Sequence, residues 1–246
     1  MKKLILLFSV LVLLAVAACK KEKSSAPPAT PKIKTIATHT AGGYTDTNTY
    51  VYDAQGRIAS VTRSDGYLKV MTFTPSRAIY TYYAAPGVTS GTETFFLDAN
   101  GRADSVVTVF GVNISYTKYI YDSDGHNTIL KSYDAANTLS GTRNFIWDGG
   151  NKSELYLVNP ALQMLAHVTY NYVPGHKNTT GYQNTGQDLL GIDSQNPIAS
   201  RVETSASNNI AVFNYIYTYD SEDRIASMTL YTGTGSFYYT ETYTYY

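Results

Sequence analysis

The stretch Tyr50-Val-Tyr-Asp53-Ala-Gln-Gly56-Arg57-Ile58-Ala-Ser-Val61 returns near the other end of the chain as Tyr217-Thr-Tyr-Asp220-Ser-Glu-Asp223-Arg224-Ile225-Ala-Ser-Met228. Weaker copies are Phe95-Phe-Leu-Asp98-Ala-Asn-Gly101-Arg102, Tyr119-Ile-Tyr-Asp122-Ser-Asp-Gly125-His126 and Phe145-Ile-Trp-Asp148-Gly-Gly-Asn151-Lys152. Three degenerate copies put Thr74, Val173 and Asp193 at the Asp position. Successive marks lie 20 to 27 residues apart, about 24 on average. Self-similarity at that period is the mark of a repeat architecture.

The chemistry of one unit says what it builds. Aromatic and β-branched residues precede the Asp, and a second β-rich run follows the Arg, which are strand signals. Asp opening a turn bonds back to the following amides, and Gly three residues later supplies a positive φ. Together they suit a type I turn with a G1 bulge, a common hairpin connection. The expected turn residues are Asp53 with Gly56, Asp98 with Gly101, Asp122 with Gly125, Asp148 with Asn151, and Asp220 with Asp223. Asn and Asp stand in for Gly in the last two because both tolerate left-handed backbone. The fold class is all-β: an antiparallel meander of about eight tandem hairpins, up to about sixteen strands, curled strongly into a sheet or a barrel-like or half-barrel shape.

These units resemble the YD repeat of Rhs-type proteins, whose core is a Tyr-x-Tyr-Asp-x-x-Gly-Arg-Leu/Ile pattern. The closer resemblance, over roughly residues 45–246, is to a family of repeat-bearing Gram-negative lipoproteins of unknown function. The resemblance implies a porin-like β fold and brings no activity with it.

The N-terminus supplies an address. Met1-Lys2-Lys3 is a basic lead, and Leu4 to Val16 is an apolar run broken only by Ser9. The run is too short for a stable span and reads as a signal peptide. Val16-Ala17-Ala18-Cys19 resembles the bacterial lipobox, which implies diacylglycerol on the Cys19 thiol, cleavage before it and acylation of the freed amine. Ordinary cleavage after Ala17 is the competing reading. Cys19 is the only cysteine. Several acyl chains would hold the protein durably on a membrane. Residues 1–18 are thus expected to be a signal peptide, 19–34 a lipid-anchored Pro/Ser/Lys spacer and 35–246 the repeat domain. The expected location is the envelope of a Gram-negative bacterium, lipid-anchored at the outer membrane.

Charge narrows the partners. Residues 35–246 carry 12 basic against 18 acidic residues. That sign repels phosphate backbones, so nucleic acid is not an expected partner. His39, His126, His167 and His176 share no metal-ligand spacing, and there is no nucleophile elbow or phosphate loop, so no catalytic, metal or cofactor residue is expected. The distinctive feature is 24 tyrosines. Tyr215, Tyr217 and Tyr219 share one strand face, as do Tyr50 with Tyr52, Tyr119 with Tyr121, and Tyr170 with Tyr172. Stacked hairpins turn these into an aromatic ladder that serves as core or as the lining of a groove. The opposite face carries Phe96, Ile120, Ile146 and Ile216, so both faces are apolar unless the sheet curls.

The function expected from these features is a non-catalytic, lipid-anchored envelope binding or structural module, its partner a glycan or another envelope protein. A carboxylate-dependent enzyme acting on envelope or imported polysaccharide is the alternative, needing two carboxylates in one cleft. The alternating C-terminal run from Phe237 to Tyr246 keeps an integral outer-membrane barrel as a third reading.

Overall fold

The computed structural model describes residues 30–246. The expected signal peptide, Cys19 and the expected spacer up to residue 29 lie outside the described residues. Residues 31–246 form one compact unit.

The strands follow the repeats: β1 (Ile33–Thr40), β2 (Thr45–Tyr52), β3 (Ile58–Arg63), β4 (Leu68–Thr74), β5 (Arg77–Ala85), β6 (Val88–Leu97), β7 (Ala103–Phe110) and β8 (Asn113–Tyr121). The second half adds β9 (Asn127–Tyr133), β10 (Leu139–Asp148), β11 (Asn151–Val158), β12 (Met164–Tyr172), β13 (Ile198–Ser205), β14 (Ile210–Tyr219), β15 (Ile225–Thr232) and β16 (Phe237–Tyr245). Every strand pairs antiparallel with its sequence neighbours, and β1 pairs with β16 from Ile33↔Tyr245 to Thr40↔Tyr239. A curled sheet or half-barrel of about eight hairpins understates this. The sixteen strands close into a barrel.

Seven of the connections lie at one end, called here the repeat end, and eight at the other, the far end. At the repeat end Asp53 Oδ1 accepts the N–H groups of Gln55 and Arg57, both at 2.9 Å, and Asp53 Oδ2 takes the Arg57 guanidinium. Asp98 with Arg102, Asp122 with His126, and Asp220 with Arg224 repeat the pattern. The fourth residue has positive φ in each: Gly56 at 75°, Gly101 at 77°, Gly125 at 92° and Asp223 at 58°.

The structure corrects three details. Asn151 is not the left-handed residue of its turn. Gly149 and Gly150 both have positive φ, at 54° and 79°, the pattern of a two-residue type I′ turn in which Asp148 has no amide to cap. Asp193 opens no hairpin. It lies with Val173 in a single connection between β12 and β13, and the eighth strand pair at that end comes instead from closure of β16 on β1. Residues 31–34, assigned to the spacer by composition, belong to the barrel, since Ile33 is fully buried and opens β1.

Alternation sorts the two faces. Inward-pointing Tyr50, Tyr52, Tyr80, Tyr82, Tyr215 and Tyr217 pack in two apolar clusters. One is built on Ile58, Met71, Tyr80, Phe95 and Val106, the other on Ile33, Ile225, Met228, Leu230 and Tyr243. Val51, Ile120, Ile146 and Ile216 point outward and are exposed. Much of the outer wall is hydroxyl-bearing. Thr45, Thr47 and Thr49 on β2 share it with Thr240, Thr242 and Thr244 on β16, and Thr35 Oγ1 lies 2.6 Å from Thr244 Oγ1.

Candidate ligand site in the plugged lumen

A barrel of sixteen strands ordinarily leaves a channel that side chains alone do not fill. Here residues 173–197 fold into the repeat end as a plug. They contain a helical turn, α1 (Tyr182–Thr185), and a 3₁₀ turn at Asp188–Leu190. Hydrogen bonds moor the plug around the wall. Asn184 Nδ2 donates to Pro31 O at 2.8 Å, and the Ile58 N–H donates to Gly186 O at 3.3 Å. The Ile192 and Gln195 N–H groups donate to Gly125 O and Gly150 O, both at 3.1 Å. On the far side the Ile225 N–H donates to Thr179 Oγ1 at 2.8 Å. Leu189 supplies the apolar mooring, buried in the first cluster. Thr179, Asn184, Thr185 and Ser194, all on the plug, are buried polar residues. All four have their hydrogen-bond partners in the wall or the plug itself, which is what burial of polar groups demands.

Aromatic residues near the repeat-end tips of even-numbered strands have a second duty that sequence reading missed. Tyr52 donates its hydroxyl to Ile33 O at 2.7 Å, Tyr217 to Ile198 O at 2.9 Å and Tyr245 to Ile225 O at 2.8 Å. Tyr172 does the same to Lys152 O, and Trp147 Nε1 to Asn127 O at 2.8 Å. In each case the acceptor opens, or nearly opens, the neighbouring strand, next to the bulge that precedes the turn. The recurring separation of 19 or 20 residues is the signal that would have revealed it.

Between the plug and β1 and β11–β16 lies a cavity of about 390 Å³. Tyr170, Tyr172, Tyr215, Tyr217 and Tyr243 line it, with Asn178, Thr180 and Ser194 of the plug. The Tyr170 and Tyr215 hydroxyls have no hydrogen-bond partner among the described residues, whereas Tyr172 and Tyr217 are tied to the wall. Four charged groups also border it: Lys152, Arg201, Asp193 and Glu241. Arg201 Nε lies 3.1 Å from Glu203 Oε1, and its guanidinium carbon sits 4.5 Å from the centre of the Phe213 ring. Burial holds Lys152 below the usual ammonium range, with Asp193 opposing the shift, and its ammonium rests 4.7 Å from the Phe145 ring centre. Burial raises Glu241, which accepts the Tyr243 hydroxyl. Burial also pushes the Tyr172 phenol up to about 12, so the tyrosines stay neutral donors at any physiological pH. Lys152 and Asp193 also border a second, smaller cavity of about 150 Å³ beside Trp147 and Tyr182.

None of the sequence-derived turn residues lines the larger cavity. Asp53, Asp98, Asp122 and Asp220 sit in hairpin turns at the repeat end, each against the Arg or His four residues on. Asp223 holds His176 of the plug at 3.0 Å, and Asn151 Oδ1 accepts the Asn196 N–H. The histidines are dispersed: His126 stacks on Trp147 at 4.4 Å, His167 on Tyr156 at 4.3 Å, and His39 is on the outer wall.

A closed antiparallel meander of sixteen strands, with a wide interior, has counterparts among solved structures. The shared feature is a porin-like barrel fold. The chain is similar to a porin-like protein from Bacteroides uniformis, at 15% identity and a TM-score of 0.66, over 89% of this chain and 98% of that one. It is similar also to a porin-like protein from Bacteroides vulgatus, at 11% identity and a TM-score of 0.63, over 88% and 99%. No family model matches the chain. No curated protein is similar to it.

Proposed function

We propose that the chain is a non-catalytic, lipid-tethered envelope module that retains a saccharide in the plugged lumen of its barrel. The observation that carries the reading is the cavity of about 390 Å³ with five tyrosines, two cations and the amide of Asn178 converging on it. Small-molecule sites have this make-up, apolar walls with a few placed polar groups, and this size. A sugar ring offers an apolar face to tyrosine rings and a rim of hydroxyls to charged and amide groups. Charge-assisted hydrogen bonds of the kind Arg201 and Lys152 offer are the stronger ones. The tether reading rests on the lipobox and the sole cysteine.

Glycan-array binding of the purified chain tests the site. Arg201→Met should lower affinity about tenfold or more, the loss of one charged hydrogen bond, with little change in melting temperature. Equal retention by wild type and variant, or no retention at all, removes the reading. The tether has its own test: Cys19→Ala should abolish palmitate labelling and release the protein from the membrane fraction.

A second reading has a specific observation in its favour. Asp193 and Glu241, neither of them a turn residue, border the same cavity, and burial raises Glu241. Paired carboxylates of this kind serve acid–base hydrolysis of glycosides. Release of cleaved product from the retained saccharide would select it. A spanning barrel shares this fold, but strands as short as the six residues of β3 and a threonine-bearing wall favour tethering over spanning.

A further inference from the structure

The two ends of the barrel differ in chemistry. The repeat-end turns and the plug, residues 53–57, 75–76, 98–102, 122–126, 148–151, 173–197 and 220–224, hold ten acidic and four basic residues. The far-end turns, residues 41–44, 64–67, 86–87, 111–112, 134–138, 159–163, 206–209 and 233–236, hold two acidic residues and no basic one. They and the strand ends beside them carry most of the exposed large apolar side chains instead. Val112 is 95% exposed, Leu162 78%, Ile210 68% and Val88 56%, with Tyr44 and Tyr238 also exposed. These sit at six of the eight far-end turns, so they ring the whole rim rather than forming a patch on one side.

Leu162 sharpens the point. It occupies the left-handed position of its turn, φ 62°, where Gly or Asn would be unstrained. An apolar side chain held in a strained backbone and in water contributes nothing to the fold, and such positions mark function.

We propose that this rim is a membrane-docking surface. The far-end tips enter the interfacial layer of a phospholipid bilayer, and the barrel stands on the membrane with its acidic plugged end away from it. A ring of tips around a closed barrel suits a planar partner, and an apolar rim without net positive charge suits the boundary between head groups and acyl chains. The acidic repeat end would be repelled by anionic lipid, which fixes the orientation. The geometry of the tether agrees, a point that rests on the lipid-anchor reading above. Residues 20–30 reach about 35–40 Å when extended. That exceeds the length of the eight-residue β1, about 27 Å, so the anchor can pass down the wall to the same bilayer. The saccharide cavity borders the plug and so remains on the solvent side.

The test uses residues 31–246, which contain every strand, the plug and both apolar clusters but not Cys19. The probe is vesicles of equimolar phosphatidylcholine and phosphatidylglycerol. The chain should sediment with them, and a Val112→Ser, Leu162→Asn double variant should lose about tenfold or more in partitioning. Leu162→Asn relieves the left-handed strain, so the fold is expected to be at least as stable as before. In separate chains, tryptophan introduced by Val112→Trp should be quenched by brominated lipid, and by Ile192→Trp on the plug should not. Absence of vesicle binding, equal binding by the double variant, or quenching at residue 192 instead would each overturn the proposal. So would a rim-dependent doubling of mass in solution, which would assign the rim to a second copy of the chain. Because Cys19 is absent, failure here leaves the palmitate result standing, and the reverse holds too.

Discussion

Gly186→Val is expected to unseat the plug while the sixteen strands stay paired. A Cβ on Gly186 would lie 2.8 Å from Ile58 N and 2.9 Å from the Tyr52 ring, and the residue sits at φ 70°. Ile58 N is backbone at the start of β3 and cannot swing aside. Left-handed strain on a β-branched residue and overpacking against the wall together cost about 2–5 kcal/mol. The plug is moored mostly by single hydrogen bonds, each contributing about 1 kcal/mol, so that cost is comparable to what holds it. Hydrogen exchange should show lost protection at the Ile58, Ile192 and Gln195 amides, the donors of these moorings, with the other strand amides unchanged. Retained protection there would mean that the plug keeps its seat despite the added side chain.

Tyr217→Ala should produce the largest loss of global stability. Tyr217 packs in the second apolar cluster, lines the lumenal cavity and donates to Ile198 O. Truncating a buried aromatic costs about 3–5 kcal/mol; for the half-buried Tyr217 the low end of that range, about 3 kcal/mol, is still a large share of the stability of most domains. Tyr217→Phe keeps the ring and leaves Ile198 O without that donor, a loss of about 1 kcal/mol. The two variants should therefore separate clearly in denaturant midpoint. A Tyr217→Ala chain that keeps its midpoint but loses saccharide retention would show that the ring serves the ligand rather than the wall.

How far the sequence carried these conclusions depends on which residues were asked. Tyr50-Val-Tyr-Asp53 and its copy at 217–220 announced hairpins, because turn capping and strand propensity act locally. The same five-residue turn recurs at the far end, where Asp134 caps the turn that holds Asn137 at φ 59°, and Asn159 the turn holding Leu162. There the spacing of four was present without the Arg, and was not recognised. Closure was not legible, since it depends on β1 meeting β16 across the whole chain. The plug was misread for a related reason. Asp193 and Val173 fit the average interval, yet the residues between them build no strands. Ile33 among lysines and prolines gave no compositional sign that it is buried. The cavity itself required the fold, for Glu241 and Asp193 lie far apart in sequence and border one cavity only because the plug brings Asp193 to it.

The pairing of β1 with β16 also has a kinetic meaning. Ile33 and Tyr245 come together only after almost the whole chain has been made. Contacts of such sequence separation form slowly. Until they form, the meander has two unpaired edges, and an unpaired edge is a template for another chain. Two incomplete barrels that met in this interval would satisfy each other's edges, giving an exchanged dimer or an open chain of sheets. Pairing of the threonine-bearing seam between β1 and β16 removes both edges at once, and substitutions there are expected to reveal themselves first as refolding aggregates rather than as a lowered melting temperature.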